Sequence, residues 1–190
     1  EMIGLDGVFY QIKADGIAYP VDDLMKTPFA VVTFFESDET KEIDKSVNYK
    51  QLKLFLDSML PTENIFYAFK IEGAFEYIKT RSVPRQNKPY PPLVEIVKNQ
   101  PIFEFHDVKG TLVGSWFPDY MKGINVPGYH FHFITEDKKA GGHLLECQTD
   151  NVRIGIDYTS NSYLSLPEDD DFYNAELSKE NRDTLEKVEK

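Results

Sequence analysis

Cysteine is almost absent: the 190-residue chain holds one, Cys147. A single thiol excludes an internal disulfide framework and a zinc site built from four cysteines. Long apolar runs are missing too. No stretch approaches the roughly 20 residues that span a bilayer, so no membrane partner is expected. No signal-peptide pattern is visible, and cytoplasmic and secreted destinations both stay open. Positive charge is scarce, with 21 Lys and Arg against 32 Asp and Glu and a net charge of −11. Nothing resembles a basic groove, so nucleic acid is not expected as a partner. Aromatics are plentiful: 11 Tyr and 14 Phe suit a β-rich core, and a chain of this length can bury one without staples.

Local patterns divide the chain. Asp6-Gly7 and Asp15-Gly16 predict hairpins between short strands in residues 1 to 19. Phe29 to Phe35 reads as a buried strand and the charged stretch Glu36 to Lys45 as a solvated loop. Leu52, Phe55, Leu56, Met59 and Leu60 fall at helical spacing over residues 48 to 60, which Pro61 ends. Strands are predicted over Ile65 to Ile71 and Ala74 to Thr80, turning at Glu72-Gly73. Residues 81 to 92 carry four of the eleven prolines and read as a linker. Beyond it come a short helix, Leu93 to Asn99, and strands Ile102 to Phe105 and Gly110 to Phe117. After a histidine hairpin, strands Leu144 to Gln148 and Val152 to Tyr158 are joined at Asp150-Asn151. The tail ends in a predicted amphipathic helix, Ala175 to Val188. This order predicts an α+β fold with two similar halves, mixed or antiparallel β-sheets and few helices. The expected divisions are 1–83, 84–158 and a tail, 159–190.

Three of the four histidines lie between positions 130 and 143. His130 and His132, one residue apart in Tyr-His-Phe-His-Phe, share a face if this run is a strand. The polar segment Glu136 to Gly142 reads as a turn that could return His143 beside them. A lone strand histidine is more often a packed side chain than a ligand. Two on one face with a third past the turn favour Zn²⁺ or a similar divalent ion, with positions left open for water or substrate. Cys147 would share a strand face with His143 but reads as core, and His106 as structural or exposed. Arg81 and Arg85 stand out in the stiff segment as cations for an anionic substrate. Spacing cannot choose the carboxylate. Glu136 follows His132 as in a cupin's His-x-His-x(3)-Glu run, but His143 stands where that pattern wants glycine, which leaves Glu136 on the turn.

Several long stretches, in order, resemble one family. They are Thr80-Arg81-Ser82-Val83-Pro84-Arg85-Gln86, Lys88-Pro89-Tyr90-Pro91-Pro92-Leu93, Lys109-Gly110-Thr111-Leu112-Val113-Gly114, Gly123-Ile124-Asn125-Val126-Pro127-Gly128-Tyr129-His130-Phe131-His132-Phe133 and Gly141-Gly142-His143. Together they are similar to α-acetolactate decarboxylase, and the likeness runs over essentially the whole chain. Family members carry a further segment before the position of Glu1. The resemblance implies zinc held by His130, His132 and His143, with Arg81 as active-site cation. It also implies Glu1 as an active-site glutamate, and Glu189 on a C-terminal tail that folds back to the metal. The implied reaction converts 2-acetolactate to (R)-acetoin and CO₂ through a metal-stabilised enediolate, a step of acetoin biosynthesis, in a homodimer. Two rivals remain: a cupin-like oxygenase using His130, His132 and Glu136, and a non-catalytic, metal-stabilised binding module.

Overall fold

The computed structural model describes residues 1–27, 29–91 and 93–175. Glu189 and all but the first residue of the helix expected over Ala175 to Val188 lie outside them. Among the described residues, no helix is long and apolar enough to cross a membrane. The architecture is mostly antiparallel β, with few helices.

The chain opens with a small meander of β1 (Met2–Leu5), β2 (Val8–Ile12) and β3 (Ala18–Pro20). Its first turn is Asp6-Gly7, both at positive φ, the backbone a two-residue hairpin requires. The larger sheet holds β4 (Glu39–Ile43), β5 (Phe66–Arg81), β6 (Ile102–Phe117), β7 (Gly128–Thr135) and β8 (Gly141–Thr159), in the order β4-β8-β5-β6-β7. The start of β8 also pairs with β7, so β5, β6, β7 and β8 close on one another. β5 lies N-terminal to the proline segment, yet along its length it is hydrogen-bonded between β6 and β8. Helix α1 (Tyr49–Asp57) is started by a capping box between Asn48 and Gln51. Its Leu52 and Leu56 join Phe69, Ile71, Phe131, Phe133 and Ile154 in the main core. The small meander covers the opposite face, where Ile3, Leu5, Ile12 and Ala18 pack on Ile134. Short helices α2 (Leu93–Ile96) and α3 (Asp170–Tyr173) complete the described chain.

Three sequence expectations change. Phe29 to Phe35 is not a strand: the run has no regular structure and is largely exposed. The neighbouring strand is instead β4, inside the stretch expected to be a loop. Among the described residues β4 pairs only with β8, and an edge strand of Glu, Thr and Lys keeps its outward side chains solvated and discourages further pairing. Third, the turns expected at Glu72-Gly73 and Asp150-Asn151, and the break between the strands of residues 102 to 117, fall inside long continuous strands. They lie level with one another: Gly73 faces Gly110 on β6 and Val152 on β8, and Ala74 faces Asn151. Register shifts follow at Ala74, Phe75 and Tyr77. Turn-forming residues thus mark one irregular level across the sheet, where bulges let long strands bend.

Candidate metal centre

The closing seam of the sheet builds the site. His143 on β8 pairs directly with His132 on β7 and with Arg81 on β5. Directly paired residues of antiparallel strands share a face, and His130, two positions from His132, shares it too. Two glycines permit the seam. A Cβ on Gly141 would lie 2.2 Å from the Phe133 carbonyl oxygen, and one on Gly142 (φ +148°) would lie 2.5 Å from that of Arg81. A side chain at either position would hold β8 away from its neighbours and His143 out of the row.

The imidazoles converge. His130 Nε2 lies 3.3 Å from His132 Nε2 and 3.2 Å from His143 Nδ1, and one ligand atom from each ring falls within 4.8 Å of the others. Tetrahedral zinc, with Zn–N of about 2.05 Å, separates its nitrogens by roughly 3.3 Å. His132 Nδ1 is 3.0 Å from the Met2 carbonyl oxygen. A carbonyl only accepts, so Nδ1 carries a proton and Nε2 is the atom left to face the cluster. Burial, then the charges of His132 and Arg81, push His130 down to about 3 against the pull of Glu1. His143 shifts the same way, again chiefly through burial. Neutral imidazole is the form that binds a metal.

Glu1 and Arg81 flank the rings. Arg81 is 2% exposed, and its Nη1 donates to Glu1 Oε1 at 2.7 Å. The other carboxylate oxygen, Oε2, lies 3.3 Å from His132 Nε2. A proton on Nε2 would bridge those two atoms, and a metal cation in its place would be faced by both. Burial alone would raise the Glu1 carboxyl. The hydrogen bond and charge of His132 and the charge of Arg81 overcome it and hold the group well below the usual carboxylate range. The donor set therefore fits a divalent metal: three imidazoles, two of them held neutral by burial, with an anionic oxygen beside them.

The other sequence candidates fall elsewhere. Arg85 is exposed. His106 is exposed, its ring tilted against that of Tyr77. Glu136 is exposed on the β7–β8 turn, outside the three-histidine group. Cys147 does not share the face of His143. Leu144 pairs with Thr80 and Glu146 with Lys79, so the bulge at Leu145 reverses the alternation and turns Cys147 into the main core. The contact that sequence reasoning missed is the Met2 carbonyl on His132, since a main-chain oxygen carries no residue signal.

Fold and cluster together define a β-sheet protein with an open three-histidine site able to hold a metal. Comparison with known proteins narrows this. Residues 1–179 match the family model for alpha-acetolactate decarboxylase. An alpha-acetolactate decarboxylase of Methanosarcina mazei is 55% identical over 190 residues, all of this chain and 66% of that protein. One from Bacillus subtilis is 45% identical over 177 residues, 93% of this chain and 69% of that protein. The crystal structure of alpha-acetolactate decarboxylase from Bacillus subtilis strain 168 superposes with a TM-score of 0.95 at 42% identity, covering 99% of this chain and 81% of that one. The chain belongs to the alpha-acetolactate decarboxylase family, whose name denotes carboxy-lyases, and spans about two thirds of the Methanosarcina mazei relative.

Proposed function

We propose that this chain decarboxylates 2-acetolactate, (S)-2-hydroxy-2-methyl-3-oxobutanoate, to (R)-acetoin and CO₂, with zinc held by His130, His132 and His143. The observation that carries the reading is the convergence of three imidazoles beside a buried Arg81–Glu1 pair. When bound, the ion supplies Lewis-acid stabilisation of the negative charge that develops on the substrate's oxygens as the carbon–carbon bond breaks.

The chain's own residues do the rest. Arg81 presents a planar fork of five donors. It holds Glu1, and the same guanidinium can meet the substrate carboxylate or the oxygen where charge builds. Burial makes each such contact stronger than it would be in water. Glu1 is ionised and so begins as a proton acceptor. It takes the substrate's hydroxyl proton and returns it to the carbon that CO₂ leaves, and the product draws one further proton from water. A carboxylate fixed by Arg81 reaches one face of that carbon, which sets the handedness of acetoin. Glu189 on the tail is the second candidate for this delivery. A homodimer belongs to the same reading and is tested separately by sedimentation.

A colour assay for acetoin from racemic acetolactate, with and without chelator, tests the reaction. The expected result is acetoin that disappears on chelation and returns with zinc. A zinc-loaded protein that makes none overturns the reading, as does His132→Ala with normal zinc content and turnover.

A further inference from the structure

We infer that Ser82 is a positioning residue for Glu1, setting where that carboxylate stands against Arg81. The inference rests on the decarboxylase reading and adds to it the device that holds two of its groups in register. Glu1, just ahead of β1, and Arg81, at the end of β5, lie 80 positions apart. Their ion pair could hold many relative placements of the sheets unless something else fixed them. Packing on Ile134 and the Ala18 N–H donating to the Lys139 carbonyl at 2.8 Å hold the far side of the meander, and the hydroxyl of Ser82 supplies the restraint at the Glu1 end. It is fully buried, and its Oγ donates to the Ile12 carbonyl oxygen at 2.8 Å. The N–H of Ile12 donates in turn to the Glu1 carbonyl oxygen, also at 2.8 Å.

The contacts close a ring. From Arg81 the path runs through its guanidinium to the Glu1 carboxylate, through the Glu1 backbone to Ile12, through the Ile12 carbonyl to Ser82, and back to Arg81 across one peptide bond. Ile12 is 1% exposed, so neither hydrogen bond faces competition from bulk water. The Ser82 N–H donates to the Pro101 carbonyl at 3.1 Å, which anchors the residue to the end of the large sheet. The Met2 carbonyl, one residue beyond Glu1, meets His132. Ser82 and His132 therefore restrain the same short segment from two sides. Removing the hydroxyl frees one side and leaves the imidazoles untouched. A shift of about 1 Å in a reacting group can cost on the order of a hundredfold in rate.

The test is a cycle of Ser82→Ala, Glu1→Gln and the double variant in the zinc-loaded enzyme, with kcat, KM and zinc content measured for each. For Ser82→Ala we expect kcat lower by roughly 10- to 100-fold, KM and zinc content near wild type, and recovery in Ser82→Thr. In the Glu1→Gln background Ser82→Ala should cost nothing further, because a residue acting only through Glu1 has lost its target. Additive losses, wild-type kcat in Ser82→Ala, or a Ser82→Ala chain that no longer folds would make the hydroxyl structural only and overturn the proposal. If wild-type enzyme made no acetoin, the reaction itself would fall and the positioning role with it; an active wild type with an indifferent Ser82 sinks the positioning alone.

Discussion

Arg81 brings a full positive charge into a site where it is 2% exposed, and its partner Glu1 answers that charge. Removing one member of a buried pair strands the other and typically costs about 3–5 kcal/mol. Arg81→Ala should therefore lower stability by about that much in denaturant titration and abolish acetoin formation. Arg81→Lys should keep the charge but lose the fork, recovering part of the stability and little of the activity. Cys147 is the opposite kind of buried group, neutral and without a chemical task in the proposed reaction. Burial pushes its thiol up to about 12 from an ordinary 9.0, against a weak pull from Lys53. Between those values the unfolded chain gives up the thiol proton while the folded chain keeps it, so stability falls as pH rises through that window and is unaffected below it. Denaturant midpoints of wild type and Cys147→Ala should stay parallel up to the ordinary thiol value. They should converge in more alkaline buffer, and a constant separation throughout would contradict the assignment.

At the scale of elements, the seam between β8, β7 and β5 decides whether a site exists. Gly142→Ala would place a methyl 2.5 Å from the Arg81 carbonyl at a φ of +148°, a backbone region that L-residues rarely occupy. The main chain must move, and His143 moves with it. We expect a chain that binds zinc at least about tenfold more weakly, the order of loss that follows disturbed ligand support, read by competition with a chelator. Asn48→Ala is the contrasting change. It removes the α1 cap far along the sequence from the histidines and should cost about 1 kcal/mol of stability, with kcat unchanged. The long strands also show why turn-like residues need not make turns. Gly73 and Asn151 sit in strands whose neighbours are already supplied by other parts of the chain, so they bend the sheet where an isolated pair would have folded back.

For the whole molecule, the three proposed ligands come from β7 and β8, with Glu1, just ahead of β1, and Arg81 from β5 beside them. A metal bound there cross-links the closing seam. A ligand present at about a thousand times its Kd stabilises the folded state by roughly 4 kcal/mol. Chelation should accordingly lower the melting temperature by several degrees, and zinc should restore both the transition and acetoin formation. A melting temperature indifferent to chelator would argue that no metal is held at the three histidines.

The sequence by itself determined what depends on neighbours along the chain. The Asp6-Gly7 turn, the capped helix α1, the shared face of His130 and His132 and the return of His143 after a polar turn all follow from local backbone preference and a period of two. The stiff proline segment singled out Arg81 and Arg85; the resemblance to a family chose Arg81 and added Glu1 and Glu189, which no spacing rule could select from 32 acids. Tertiary structure decided the rest. It placed the edge strand in a charged segment and left the apolar run Phe29 to Phe35 exposed, because pairing depends on which sheet edge is free. It turned Cys147 into the core through one bulged residue. It also brought Glu1 to Arg81 across 80 positions, because ion pairs and sheet closure act through space, where distance along the chain does not count.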